Sequence, residues 1–207
     1  MVILVIGRPD SGKSELAEGL ILKLADINPK FYIATMIPFG KEGERRVEKH
    51  RKMREGKGFI TIECPYNISS LKDKFGEYIF GESKTCEYRS YENKIFKERS
   101  GQNMSEEEST ASKINILLEC MSNLIGNEMH LDSNKDLSDK ELVDYILSSV
   151  KTLSDLADNM VIVTNEFQLE EGFDQDTIRY VKLVNETNEE LCNIADRVYK
   201  NIDGEWI

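Results

Sequence analysis

The sequence predicts an α/β protein, with a mostly parallel sheet covered on both faces by helices. Three observations lead there. Short runs of β-branched and aliphatic residues recur along the chain, too uniformly apolar for half-exposed strands. Between them lie segments whose apolar residues repeat at helical spacing. The two kinds of segment alternate, which is the pattern of parallel crossover units. A length of 207 residues suits one such domain with room for an insertion.

Met1–Ile6, "MVILVI", is the first buried strand and ends in Gly7. After the loop "GRPDSGKS", Leu16, Ala17, Leu20, Ile21 and Leu24 mark a helix, with Pro29 beyond its end. "FYIAT" (Phe31–Thr35) is the second strand. The charged stretch Glu44–Arg54, "ERRVEKHRKMR", reads as a helix closed by Gly56 and Gly58, and "FITIE" (Phe59–Glu63) is the third strand. The range 67–112 is rich in Lys, Glu, Ser and Asn and is expected to be a polar surface insertion carrying some helix, within a single domain spanning 1–207. "NILLEC" (Asn115–Cys120) is another buried strand, with Glu119 near its C-terminal end. Ser138 and Glu141 form a capping box opening a helix with Leu142, Ile146, Val150, Leu153 and Ala157 on its apolar stripe. "MVIVTNE" (Met160–Glu166) is a strand, Asp174–Ala195 a long helix, and "RVYKNIDGEW" a final strand and turn.

The totals exclude several classes of function. The net charge is −11, which disfavours nucleic acid as a partner, because duplex binding rests on many cation–phosphate contacts. No apolar run is long enough to span a membrane. The N-terminus lacks a basic leader and meets a lysine-bearing glycine loop at once, so a cytoplasmic protein is expected. The four cysteines, Cys64, Cys86, Cys120 and Cys192, are scattered with no CxxC pair, as for ordinary reduced thiols.

Gly7-Arg8-Pro9-Asp10-Ser11-Gly12-Lys13-Ser14 matches the phosphate-loop pattern G-x-x-x-x-G-K-[ST], and it lies where the pattern requires, between a buried strand and an amphipathic helix. Its glycines let backbone N–H groups converge on phosphate oxygens at a helix N-terminus. Lys13 would reach the terminal phosphates and Ser14 would ligate Mg²⁺, so ATP or GTP is the expected ligand. The second magnesium-side group should be an acid ending a neighbouring buried strand. Glu119 is the first candidate, its plain reading being a strand-end acid facing solvent, and Glu166 is the alternative.

On a helix, Arg46, His50 and Arg54 share one face. Arginines there would clamp phosphates, and histidine is a competent nucleophile toward phosphorus. The residues alone leave this open, since charge runs are also ordinary solvated faces.

A family resemblance bears on that choice. "VILVIGRPDSGKSELAE", "FYIAT", "RVEKHRKMR" followed by "FITIECP", "ILLEC", "VIVTNE" and "ADRVY" occur in order. Together they resemble the CobU-type bifunctional adenosylcobinamide kinase / adenosylcobinamide-phosphate guanylyltransferase of cobalamin biosynthesis. The resemblance implies a P-loop NTPase with a RecA-like sheet, acting on a corrinoid substrate. It further implies a homo-oligomer, a trimer in that family. It implies that Gly7–Ser14 hold the nucleotide, bordered by Ile33, Ala34 and Thr35. His50 would attack the α-phosphate of GTP, with Arg51, Lys52, Met53, Arg54 and Glu63 beside the nucleotide and Glu119 in the acidic strand-end position. The alternatives are a P-loop small-molecule kinase without the guanylyl step, and a non-catalytic nucleotide-binding relative. The chain departs from the family after Glu166. "FQLEEGFDQD" replaces a glycine-rich, proline-containing turn, and the next helix keeps Arg179 and Asn188 but lacks an arginine–aspartate–alanine–glycine pattern. Asn188 falls on the apolar stripe of that helix and is expected to be a satisfied interior amide. His130 has no motif around it, and Trp206 closes either the core or an oligomer contact.

Overall fold

The aliphatic runs pair with one another into one sheet in a computed structural model, which describes residues 1–25, 28–80 and 114–207. The strands are β1 (Val2–Gly7), β2 (Lys30–Ala34), β3 (Phe59–Glu63), β4 (Asn115–Glu119), β5 (Asn159–Asn165), β6 (Arg197–Ile202) and β7 (Glu205–Trp206). The helices are α1 (Lys13–Leu24), α2 (Gly40–Arg54), α3 (Leu71–Phe80), α4 (Met121–Met129), α5 (Asp139–Ser154) and α6 (Gln175–Ile194). Strand order is β3-β2-β4-β5-β1-β6-β7, parallel except for the closing β6–β7 hairpin.

Two-residue alternation assigns the strands' side chains to two layers. Ile3, Val5, Tyr32, Leu117, Val161 and Val163 pack against Ala17 and Ile21 of α1. Leu4, Ile6, Phe31, Ile33, Leu118 and Ile162 face α3 to α6. Both faces of the central strands are therefore dry, which is why they carry continuous apolar runs rather than alternating ones.

The polar range beginning at residue 67 opens with core residues. Ile68, Leu71, Phe75 and Ile79 are buried, and the Phe75 ring lies 4.8 Å from that of Phe31. The expected polar insertion beyond residue 80, together with Cys86, lies outside the described residues up to 113. Helix α5 carries the expected capping box: the Glu141 N–H donates to Ser138 Oγ and the Ser138 N–H to Glu141 Oε2. Asn188 is the satisfied interior amide, accepting from Thr164 Oγ1 at 2.7 Å and donating to the Asn165 carbonyl at 2.9 Å. Trp206 packs against the α1-side core cluster. No helix among the described residues is long and apolar enough to cross a membrane.

Helix α2 is held differently from the others. Arg54 is its one buried residue among the described ones. Long charged side chains favour the helix intrinsically. Glu42–Arg46 and Glu48–Lys52 pairs at 3.9 and 3.5 Å add local support, as do the acidic first turn and basic last turn.

Candidate functional site

The site is assembled at the C-terminal edge of the sheet, where parallel strands hand over to helices. The loop Gly7–Ser14 leaves β1 and enters α1 through Gly12, whose φ of 82° is in the left-handed region open to glycine. Gly7 is a place of close approach: a Cβ there would lie 2.7 Å from Ser11 Oγ. Asp10 adopts a φ of 58°, and its carboxylate lies 3.7 Å from Lys49 Nζ of α2. Arg8 and Pro9 are exposed on the loop.

Lys13 is buried, and its Nζ donates to the Arg8 carbonyl at 2.5 Å, so the ammonium is held over the loop. Burial pulls Lys13 below the usual lysine range, opposed by nearby Cys120, Glu119 and Asp10, while Arg46 adds like charge. Ser14 Oγ donates to Glu119 Oε1. The two residues are 105 positions apart in the chain and meet across β5. Glu119 is 8% exposed and its second oxygen has no hydrogen-bond partner. Glu166, the alternative acid, instead pairs with Lys200 at 2.6 Å.

His50 enters from α2 with Nδ1 3.5 Å from Glu119 Oε1 and no hydrogen bond to that nitrogen. The C-terminal end of α2 is fixed by Arg54, whose guanidinium carbon sits 3.6 Å above the Tyr32 ring centroid. Burial, and next the charge of Glu119, push the Tyr32 hydroxyl well above the ordinary phenol range. Beyond α2, Lys57 Nζ reaches buried Glu18 of α1 at 2.5 Å.

Ala34 lies in register between Glu63 on β3 and Glu119 on β4. Thr35 follows it and brackets the next turn: its Oγ1 donates to the Cys120 carbonyl and accepts from the Cys120 N–H, both at 2.8 Å. The Glu119–Cys120 peptide is cis. Asn127 donates to the Thr35 and Pro65 carbonyls, tying β2, β3 and α4 together. Ile33 is fully buried inside the sheet. Arg51 pairs with Glu63 at 3.0 Å on the surface, Lys52 pairs with Glu48, and Met53 is half-buried. The fold thus gathers Lys13, Ser14, His50 and Glu119 at one point, with Arg54 behind them. Arg51, Lys52 and Glu63 stand on the rim, and His130 lies apart, 3.4 Å from Asp176.

Tyr32, Glu18, Lys57 and Asp10–Lys49 complete this arrangement, and only Asp10 among them belongs to the sequence-derived site. Tyr32 had a signal: it is an aromatic residue two before Ala34, so it shares that residue's face at the strand end. The Glu18–Lys57 contact had none, because it depends on how α2 returns over α1.

A donor set of hard oxygens fits Mg²⁺, which is typically held by one or two carboxylates together with substrate phosphates. Ser14 Oγ and the unpartnered Glu119 oxygen supply that set. Among the described residues no group of three or more His, Cys, Asp or Glu side chains could hold a metal by itself.

Fold and loop together define a P-loop protein with a RecA-like sheet. The ATPase domain of G40P is similar to it, with a TM-score of 0.50 at 10% identity, covering 96% of this chain and 68% of its own. A prototypical ATPase from the type III secretion system of pathogenic bacteria gives a TM-score of 0.51 at 9% identity, covering 98% of this chain and 51% of its own. This chain thus spans about half the length of the secretion ATPase, and at such identities the likeness is one of fold alone. Residues 3–80 match the CobU family, cobinamide kinase / cobinamide phosphate guanyltransferase, which supports the resemblance seen in the sequence. No curated protein sequence matches the chain.

Proposed function

We propose that this chain phosphorylates adenosylcobinamide and then transfers GMP from GTP to the phosphate it has installed, using one phosphate loop and a covalent histidine. The observation that carries the reading is the meeting of His50 with Lys13, Ser14 and Glu119, the first three of which lie within the span 3–80 that matches an enzyme family of these two activities.

In the first reaction, the hydroxyl of the cobinamide aminopropanol arm attacks the γ-phosphorus of ATP or GTP. The bond to the β–γ bridging oxygen breaks and the nucleoside diphosphate leaves. Lys13 and the loop amides hold the charge that develops on the phosphoryl oxygens. Mg²⁺ would be held by Ser14 and Glu119 and supplies further neutralisation of phosphate charge.

In the second reaction, Nδ1 of His50 faces the Glu119 carboxylate, which leaves Nε2 as the attacking nitrogen. It bonds to the α-phosphorus of GTP and pyrophosphate departs. A phosphate oxygen of the acceptor then displaces His50 from that phosphorus, giving adenosylcobinamide-GDP and the free imidazole. Gly7–Ser14, Ile33–Thr35, Arg51–Arg54 and Glu63 are the proposed nucleotide surroundings. The same reading carries a cytoplasmic homo-oligomer, a trimer by family, whose mass light scattering would read.

Incubation with GTP labelled on the α-phosphate tests the nucleophile. Wild-type protein should retain acid-labile label, and His50→Ala should retain none while still phosphorylating cobinamide. Lys13→Ala should lose both reactions. Wild-type protein that phosphorylates cobinamide without ever taking up label would make His50 incidental and leave a kinase alone.

A further inference from the structure

The phosphate loop has two flanks, and the reaction just described uses one of them. On that side β4, across β5 from β1, brings Glu119 and with it His50. On the other side β6 pairs directly with β1 and turns back through Asp203 and Gly204 into β7. The hairpin crowds the loop: a Cβ on Gly7 would stand 3.0 Å from Asn201 Cβ. Between β7 and the outer face of α1 opens a groove of about 350 Å³, lined by Trp206 and by Gly12, Glu15, Leu16, Gly19, Leu20 and Lys23 of the loop and helix. Its floor is bare at Gly19, where an added Cβ would meet nothing within 4 Å. Trp206 is half-buried, packs against the α1-side core cluster and lines the groove. The volume is at the lower end for ligand clefts, roughly 300–1,000 Å³, and suits one nucleoside.

The groove begins at Gly12, so it continues the phosphate loop without a break. A triphosphate whose γ-phosphate lies at Lys13, Ser14 and Glu119 runs its α-phosphate along the loop and helix amides, away from Glu119. Its nucleoside then arrives at the first turn of α1, beside Glu15 and Leu16. In that orientation His50 stands at the γ-phosphate end and cannot reach the α-phosphorus. Phosphoryl transfer and attack by His50 therefore require opposite orientations of the nucleotide on one loop.

We propose that the α1–β7 groove binds the purine nucleoside of the phosphoryl donor, with its base stacked on Trp206, while the GTP consumed by His50 lies with its nucleoside toward α2. The inference rests on the two-reaction reading above. Aromatic stacking gives affinity without strong base discrimination, so either ATP or GTP could serve as donor.

Trp206 is the sole tryptophan of the chain, so intrinsic emission reports this groove directly. With Mg²⁺ present, ATP should alter Trp206 emission, whereas inorganic tripolyphosphate should bind by calorimetry and leave emission unchanged. Trp206→Leu should raise the ATP KM for cobinamide phosphorylation on the order of tenfold. Gly19→Leu, which fills the groove and favours the helix, should do the same. Labelling of His50 by GTP should fall less than kinase turnover in both variants. ATP that binds by calorimetry without touching the emission overturns the groove assignment, as do unchanged KM values in both variants. Equal losses in the two reactions overturn the two orientations. If neither ATP nor tripolyphosphate binds, the phosphate-loop reading itself falls, and the groove with it. The wild-type emission titration depends on no variant folding.

Discussion

At the scale of single residues, the Arg54–Tyr32 stack decides where His50 stands. Arg54 is four residues, about one helical turn, beyond His50, and its guanidinium rests on a buried ring. Desolvated stacking of this kind is worth about 2 kcal/mol. Helix α2 buries no other residue among those described, so this one contact carries much of its docking. Arg54→Lys keeps the charge and loses the planar stack. Its single-turnover labelling by GTP should slow by roughly tenfold, the equivalent of about 1.4 kcal/mol. Tyr32→Phe, which keeps the ring, should stay close to wild type, and Tyr32→Leu should resemble Arg54→Lys. Wild-type labelling rates in both Arg54→Lys and Tyr32→Leu would show that α2 is positioned by something else.

At the scale of elements, α5 offers the contrast. It buries Leu142, Ile146, Val150 and Leu153 on one stripe and begins with a complete capping box. Ser138→Ala should lower global stability by about 1 kcal/mol, read from a denaturant midpoint. The box also has a defined pH signature. Hydrogen bonds from the Ser138 side chain and backbone hold the Glu141 carboxyl below its ordinary value of 4.5. The ionised form is therefore the one that caps. Its contribution is complete above that ordinary value and disappears as pH falls through the lowered folded value. Asp174, capping α6 through Thr177, is lowered from 3.8 and acts with the same sign. Glu141→Gln should flatten part of the acid limb of the stability–pH profile; an unchanged limb would remove Glu141 from that account.

At the scale of the whole molecule, stability is concentrated in the central strands β4, β5 and β1. Leu118, fully buried between β2 and β5, should cost about 2–5 kcal/mol when replaced by alanine, as measured by chemical denaturation. A cost near zero would mean the layer can collapse around the missing atoms. These strands were legible in the sequence because burial on both faces demands unbroken apolar runs, and "VILVI", "NILLE" and "MVIVT" are such runs. The loop Gly7–Ser14 and the Ser138–Glu141 box were legible because a backbone requirement fixes their spacing. The core role of Ile68, Leu71, Phe75 and Ile79 was hidden by the polar composition around them, although their spacing is helical. Strand order was not legible in the residues themselves, since pairing partners leave no local trace, and only the family resemblance, with its RecA-like sheet, pointed to it. The contact of Ser14 with Glu119 and the stack of Arg54 on Tyr32 exist only once that order is set.

One consequence of the strand order concerns synthesis of the chain. Ser14 and Glu119 both precede β5 in the chain, but β5 lies between the strands that carry them and ends only at Asn165. Without β5, no backbone pairing fixes β1 and β4 two strand spacings apart, about 10 Å, and only their shared packing on α1 links them. A ribosome-bound chain that has not yet released residue 165 therefore owns both halves of the pocket without the strand that sets their spacing.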